Sequence, residues 1–166
     1  MGTFYLTLTA IALLLLSTNV AQAQTTQPKL NQVELSKKLI GNWKAELAKD
    51  TVIYYEVKAF GTTGLECYYK IVAKDKIFSE AKQIWGYDSK LDKYVGASLF
   101  IGKDIDIYAI WFTAENKSVD TNFADISNPD KASSKGEGEF KSPDAWSETD
   151  FVNGKPVMTY NFKRIK

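Results

Sequence analysis

Histidine is absent from the 166 residues of this protein, and cysteine occurs once, at Cys67. Without an imidazole, the chain cannot build a Ser-His-Asp or Cys-His catalytic pair, a histidine-ligated zinc site or a haem with a proximal histidine. A single cysteine excludes a disulfide within the chain and a cysteine-rich metal site. We therefore predict that the protein is not an enzyme and that it has no catalytic residues, no metal site and no cofactor.

An excess of charge of one sign is also lacking, because 21 Lys and Arg side chains balance 20 Asp and Glu side chains and give a formal net charge of +1. Proteins that bind nucleic acids usually carry a basic excess, so this balance argues against a nucleic-acid partner. The chain has no apolar run of the about 20 residues that a membrane-spanning helix needs. We expect a protein that neither binds nucleic acid nor spans a membrane.

The N-terminal residues have the pattern of a secretion signal. Residues 6–16 are largely apolar but too short to cross a bilayer, and small residues ending at Ala23 fill the −3 and −1 positions of a signal-peptidase site. This pattern predicts cleavage after Ala23 and a secreted or periplasmic protein. The predicted organisation is a signal peptide at residues 1–23, a polar, disordered lead at 24–29 and one domain at 30–166.

One helix and ten short strands are predicted for the domain. Residues 30–40 place apolar side chains near 3.6-residue spacing, and Asn31 followed by Glu34 is typical of a helix start. From Gly41 onwards, alternating or fully apolar runs are separated about every 8 to 14 residues by turn-forming residues, which is typical of an all-β protein. The strongest hairpin signal is the pair at residues 153–154 (NG).

Short connections pair each strand antiparallel with the next one. A flat meander of ten strands would expose two edges that invite aggregation, and closure of the sheet removes both edges. The sequence therefore predicts an all-β fold, an antiparallel up-and-down β-barrel of about ten strands with a short N-terminal helix at one end. A two-sheet sandwich is the alternative, but it needs long crossovers, for which residues 127–134 are the candidate connection.

The two ends of the strand series resemble the calycins, the superfamily of the lipocalins and their relatives. Gly41, Asn42 and Trp43 open the first strand and resemble the Gly-x-Trp signature of that superfamily. Arg164 lies on the last strand, where the family has a basic partner for the tryptophan. The resemblance implies that Arg164 stacks on Trp43 and that the pair closes one end of the barrel.

The middle of the chain resembles bacterial secreted lipocalin-like domains of unknown function. Residues 85–88 (WGYD) and 93–96 (KYVG) carry this resemblance. It implies that a small hydrophobic ligand binds inside the barrel. The fatty-acid-binding branch clamps a carboxylate with an Arg-x-Tyr pair on the last strand. This chain has Tyr160 there but Met158 two residues before it, so the resemblance does not extend to that clamp.

A ligand cup needs aromatic side chains with a polar tip, which combine apolar area with an oriented hydrogen bond. We predict that the ligand contacts five inward side chains, Tyr69, Gln83, Trp85, Trp111 and Tyr160. The predicted function is an exported binding module that holds a small apolar or amphipathic ligand in the barrel. The alternative is a protein-interaction or inhibitor-type envelope protein that acts through its loops.

Two groups of reactive side chains are assigned structural roles. Cys67 shares its strand face with apolar residues, so we expect a buried cysteine rather than a reactive thiol. Glu137, Glu139, Glu148 and Asp150 could in principle pair for acid–base chemistry, but they lie in polar strands. We expect these four carboxylates on a solvated face.

The predicted sixth strand, residues 105–113, is apolar on both of its faces. A strand in a closed barrel buries one face inside, so the outer face of this strand needs a cover as well. The cover is either a second copy of the chain, which would make the protein a homodimer, or a flap or the helix of the same chain.

Overall fold

Asn31 starts the first helix of the computed structural model, which describes residues 29–166. The Asn31 side-chain oxygen accepts a hydrogen bond from the Glu34 backbone N–H at 3.2 Å and so satisfies one of the donors left free at a helix start. Helix α1 spans Gln32–Ser36 and continues as a 3₁₀ turn over Lys37–Leu39. The predicted helix is therefore present but shorter than residues 30–40. The predicted signal peptide and nearly all of the predicted lead lie outside the described residues.

Ten strands follow α1, and each pairs antiparallel with the next one along the chain. Their bounds are β1 Gly41–Ala48, β2 Thr51–Phe60, β3 Gly64–Ala73, β4 Lys76–Asp88, β5 Lys93–Phe100, β6 Ile105–Ala114, β7 Lys117–Asn122, β8 Ser134–Ser142, β9 Ala145–Val152 and β10 Lys155–Ile165. Strand β10 pairs with β1, so the sheet closes on itself. The predicted antiparallel up-and-down barrel of about ten strands with a short N-terminal helix is confirmed.

The connections explain why the chain forms a meander and not a sandwich. Asn153 and Gly154 both have positive φ, 49° and 72°, as a two-residue turn of the I′ type requires. The longest connection, between β7 and β8, contains the 3₁₀ turns Phe123–Asp125 and Pro129–Lys131, yet it joins strands that are neighbours in the barrel. In residues 29–166, no helix is long and apolar enough to cross a membrane.

Arg164 joins the first and last strands at one end of the barrel. It lies opposite Trp43 in the β1–β10 register, and its guanidinium carbon is 4.1 Å from the centre of the Trp43 ring system. The guanidinium also donates to the backbone oxygens of Ile40 at 2.5 Å, Lys38 at 3.1 Å and Pro143 at 3.0 Å. Arg164 therefore ties together the chain before β1, strand β1 itself and the turn between β8 and β9.

Trp43 and Gly41 make this close approach of Arg164 feasible. Trp43 is fully buried and donates its indole N–H to the backbone oxygen of Leu39 at 2.7 Å. Gly41 has a φ of +140°, a conformation that side chains other than glycine rarely adopt, and a Cβ at this position would meet the Arg164 guanidinium. Contact with Arg164 therefore explains why the first residue of the Gly-x-Trp pattern is a glycine in this barrel.

Helix α1 covers the same end of the barrel. The Gln32 side chain accepts from the Phe112 N–H at 2.7 Å and donates to the Phe112 oxygen at 3.0 Å, which fixes the helix to β6. Ser36 and Tyr94 share a hydrogen bond at 2.7 Å between their hydroxyl groups. Below the helix lies a core of buried aromatic side chains, Trp43, Tyr94, Phe112, Phe140, Trp146 and Phe162. We call this the closed end of the barrel.

The outer face of β6 is covered only in part by the described residues. Ala109 is fully buried, and Trp111 lies under the Lys93 ammonium group, 3.9 Å from the ring centre. Ile105 and Ile107, at the other end of the strand, remain 62% and 46% exposed. A homodimer that covers them stays a prediction.

Replacing Trp43 by alanine should lower the free energy of unfolding by about 3–5 kcal/mol, because a fully buried indole leaves a cavity at the seam of the barrel. Arg164→Ala should cost less, about 1–3 kcal/mol, because the carbonyl groups that lose their donor can reach solvent in part. Urea denaturation measures both values. Trp111→Ala, which removes an indole from the outer face, serves as the control and should cost less than Trp43→Ala. Unchanged stability of Trp43→Ala would show that the pair does not hold the seam.

Candidate ligand-binding site

The inside of the barrel holds a cavity of about 550 Å³, between the aromatic core of the closed end and the opposite end of the barrel. This volume is within the range of small-molecule sites. Eight aromatic side chains line it, namely Tyr55, Tyr69, Trp85, Phe100, Tyr108, Trp146, Tyr160 and Phe162. The polar side chains of the wall include Gln83, Ser98, Thr121, Asn122 and Ser134 and the carboxylates of Asp106, Asp120, Glu148 and Asp150.

Four of the five predicted ligand-binding residues lie in this wall. Tyr69, Gln83, Trp85 and Tyr160 come from β3, β4 and β10 and point into the same cavity. Their contact with a ligand stays a prediction. Gln83 is already bound within the wall, since it accepts from the Tyr55 hydroxyl at 2.9 Å and its amide donates to Ser98 Oγ at 3.0 Å.

The prediction that the Trp111 side chain points into the barrel is wrong. Tyr108 and Ile110 of β6 line the cavity, and because side chains alternate along a strand, Trp111 lies on the outer face. Its ring there contacts the Lys93 ammonium group. The sequence could not decide the phase of β6, because the strand is apolar on both faces. Asp106 shares the inward face with Tyr108 and was missed for the same reason.

Three buried polar groups of the wall have no hydrogen-bond partner among residues 29–166. They are the indole N–H groups of Trp85 and Trp146 and the hydroxyl group of Tyr108. Trp85 and Trp146 are each only 5% exposed. Neighbouring side chains enclose these atoms, so a ligand in the cavity does not reach them unless the wall rearranges, and an unpaired buried polar group costs about 1–3 kcal/mol of stability.

Three carboxylates approach one another across the barrel wall. Asp120 comes from β7, and Glu148 and Asp150 come from β9. The expectation that Glu148 and Asp150 lie on a solvated face is wrong. Alternation from Trp146, whose indole belongs inside, would have placed both of them inside as well.

Glu137 and Glu139, the other two acidic residues of that set, do lie outside the cavity. Glu137 pairs with Lys135 at 2.8 Å, and Glu139 pairs with Lys141. Both belong to β8, the strand between the two strands that supply the inward carboxylates. They are therefore natural comparators for Asp120 and Glu148.

Glycines in β8 leave room for side chains of the two flanking strands. Gly136 lies between Asp120 and Asp150 in the strand register, and a Cβ at this position would meet the Asp120 carboxylate. Gly138 lies between Ser118 and Glu148, and a Cβ there would meet the Ser118 hydroxyl group and the Trp146 indole nitrogen at 2.9 Å.

Burial and mutual repulsion favour the neutral forms of these carboxylates. Burial, and then the charge of Asp150, raise the pKa of Asp120 to about 7. Burial raises the pKa of Glu148 well above its usual value, and the charges of Asp120 and Asp150 add to this effect. The pKa of Asp150 is also raised by burial, although the Tyr160 hydroxyl group, which donates to it at 2.9 Å, opposes the shift.

Cys67 is fully buried, as expected, and belongs to the packed core rather than to the cavity wall. Burial raises the pKa of its thiol to about 12, which leaves it protonated and unreactive at neutral pH. In the described part of the chain, no group of three or more acidic or cysteine side chains is arranged to hold a metal ion.

The chain has no significant match among protein-family models, curated proteins or solved structures.

The buried carboxylates should make the protein less stable as the pH rises from about 4.5 to 7.5. Unfolded aspartate releases its proton near pH 4, whereas folded Asp120 holds it to about pH 7, so raising the pH through this window favours the unfolded chain. Asp120→Asn should flatten this dependence and raise the free energy of unfolding at pH 7.5 by on the order of 1–2 kcal/mol. This change in free energy is smaller than the full pKa shift of Asp120 would give, because solvent in the cavity screens the charge.

Urea denaturation at a series of pH values measures this effect. Glu137→Gln, which removes a carboxylate from the outer face of β8, should leave the slope between pH 4.5 and 7.5 close to that of the unmodified protein. An equal slope for the unmodified protein and Asp120→Asn would contradict the placement of this charge.

Proposed function

We propose that the protein is an exported binding module that holds a small apolar or amphipathic molecule inside the β-barrel. The observation that carries the proposal is the cavity of about 550 Å³, whose wall contains eight aromatic side chains. Export rests on the predicted signal peptide at residues 1–23.

The width of the barrel favours a hollow interior. A closed sheet of ten strands is wider than one of eight, in which side chains can just fill the inside. The aromatic core fills the closed end, whereas farther along the barrel the wall includes small side chains, Ser98, Thr121 and Ser134. Eight aromatic rings border the remaining space beside its polar groups, and an apolar ligand gains most on such rings.

The rings of the wall are held by their neighbours. Trp146 stacks on Phe162 with 4.6 Å between ring centroids, and Trp85 meets Tyr108 edge to face at 6.0 Å. A wall that is already ordered loses little side-chain entropy when a ligand binds. This preorganisation supports a binding role.

The resemblance to the calycins points to the same function. It rests on Gly41, Trp43 and Arg164, which meet at the closed end of the barrel. A bound small hydrophobic molecule is what this resemblance implies. The residue pattern of a fatty-acid clamp is lacking on β10, where Met158 precedes Tyr160 by two positions.

A second candidate is a protein-interaction module, and the apolar outer surface of β4, β5 and β6 favours it. Ile84, Leu99, Ile105 and Ile107 are between 46% and 62% exposed there, and the strand register makes Leu99 and Ile105 direct neighbours. A second copy of the chain is the simplest partner for such a surface. This surface, rather than the loops, is the part of the structure that supports the interaction hypothesis.

Folded protein should take up one molecule of the neutral probe N-phenyl-1-naphthylamine, with enhanced probe fluorescence and quenched tryptophan fluorescence. Tyr69→Glu should abolish the uptake because it places a charge in the cavity wall. Trp111→Glu, the same kind of change on the outer face, should leave it intact. Near-ultraviolet circular dichroism checks that both variants are folded. Absence of saturable uptake by folded, unmodified protein would overturn the proposed binding function.

Light scattering after size-exclusion chromatography tests the second candidate. If a second copy covers the outer surface of β6, the protein should elute as a dimer at micromolar concentration, and Ile107→Lys should convert it to a monomer without loss of probe uptake. A monomer at all concentrations tested would contradict the homodimer.

A further inference from the structure

The apolar side chains that are exposed to solvent are concentrated at one end of the barrel. Because successive strands run in opposite directions, the connections β1–β2, β3–β4, β5–β6, β7–β8 and β9–β10 all lie opposite the closed end. We call this the open end. The large apolar side chains exposed on three of its hairpins include Ile77, Phe78, Ile101, Val152, Val157 and Met158. Among the described residues, the strand ends and turns of the closed end expose Phe60 and Leu91.

The apolar side chains of the open end stand clear of the body of the barrel. Phe78 is 79% exposed and Ile101 is 72% exposed, the two highest values for large apolar side chains in residues 29–166. The chain around them is exposed without interruption at residues 74–78, 101–107 and 152–159, so both faces of these strand ends reach solvent. Large apolar groups presented in this way, with polar residues beside them, are typical of surfaces that bind a protein or a membrane.

The three hairpins lie on two sides of the cavity mouth. In the cyclic strand order, β9–β10 lies across the barrel from β3–β4 and β5–β6, which are neighbours. The cavity wall reaches the open end between them, since its residue Phe100 ends β5, Asn122 ends β7 and Ser134 begins β8. A partner that contacts all three hairpins therefore covers the mouth of the cavity, and a broad, even surface does so without entering it.

Free charges of both signs lie beside the apolar side chains. Adjacent lysine and aspartate residues occupy three of the open-end connections, at residues 49–50, 74–75 and 103–104, each with the sequence KD. All six side chains are exposed, and none of them forms a salt bridge within residues 29–166. On the sides of the barrel, in contrast, Lys58, Lys82 and Lys135 pair with glutamates. Each KD turn can therefore bind one anionic and one cationic group of a partner.

We propose that the open end binds the surface of a bilayer of zwitterionic phospholipid. Phe78, Ile101 and the apolar side chains of β9–β10 enter the boundary between the head groups and the acyl chains. The lysines of the KD turns bind lipid phosphates, and the aspartates bind the ammonium groups of the head groups. This inference goes beyond the proposed function, and it concerns the outside of the hairpins rather than the cavity wall.

Other partners fit the open end less well. A strongly acidic or strongly basic partner gains little, because the lysines and aspartates of the KD turns balance each other. A folded protein, including a second copy of this chain, has to match the spacing of three separate hairpins, whereas lipids rearrange around each hairpin. Lysine also suits a bilayer surface, because its stem lies along apolar groups while its ammonium group stays in water.

Co-sedimentation with phosphatidylcholine vesicles tests the proposal. Apolar residues 6–16 can insert into lipid by themselves, so the test uses the exported protein, and mass spectrometry checks that it begins at Gln24. The protein should bind these vesicles. Adding phosphatidylglycerol to them should change the affinity less than about threefold, because each KD turn carries both charges.

Variants at the two ends of the barrel locate the contact. Phe78→Asp/Ile101→Asp should weaken vesicle binding at least about tenfold, because two apolar side chains no longer leave water. The matched double variant Phe60→Asp/Leu91→Asp, at the closed end, should bind like the unmodified protein. Near-ultraviolet circular dichroism checks that both variants are folded.

A single attached fluorophore reports which end meets the lipid. Cys67 is buried and its thiol pKa is raised to about 12, so a thiol-directed, environment-sensitive dye labels only an introduced cysteine. Vesicles should shift the emission of the dye on Ile101→Cys to the blue and leave that on Phe60→Cys unchanged. Equal shifts at the two positions would contradict binding through the open end.

The outcomes separate this inference from the proposed function. Absence of binding to both kinds of vesicle, or binding only with phosphatidylglycerol, overturns the proposed partner. A dimer that Phe78→Asp/Ile101→Asp converts to a monomer, without vesicle binding, identifies a second copy as the occupant instead. Vesicle binding by protein that takes up no N-phenyl-1-naphthylamine overturns only the proposed binding function, and uptake without vesicle binding overturns only the lipid contact.

Discussion

Everything in this structure depends on the closure of β10 onto β1. Arg164 lies over Trp43 and donates to the backbone oxygens of Ile40, Lys38 and Pro143, so one side chain connects three stretches of chain that are far apart in sequence. An open sheet of the same ten strands would have exposed edges and no interior. The cavity exists because the two strands are held together, although neither Trp43 nor Arg164 lies in the cavity wall.

Closure at one end also determines how the interior is divided. Helix α1, fixed to β6 through Gln32, and the aromatic side chains below it fill the barrel near Arg164. The wall of the remaining interior includes small side chains, Ser98 of β5 and Ser134 of β8. Gly136 and Gly138 of β8 leave room for side chains of the flanking strands, Asp120 at the first position and Ser118 and Trp146 at the second.

The fold was predictable because its signals are local. Turn residues such as Asn153 and Gly154 mark the strand ends, and their short spacing permits only antiparallel neighbours. The site was predictable only where a strand has one polar and one apolar face. Strand β6 is apolar on both faces, so Trp111 was placed inside although it lies outside. Glu148 and Asp150 were missed because their charge was given more weight than their alternation with Trp146.

Both ends of the described chain lie on the side of the barrel that α1 covers. Lys29 precedes α1 and contacts Asp92 at 3.3 Å, and Ile165 pairs with Asn42 at the start of β1. A linker, tag or carrier domain joined at either end would therefore emerge away from the opposite end of the barrel. The scaffold could be immobilised on a sensor surface, or fused to a reporter protein at both termini, while access to its interior stayed free.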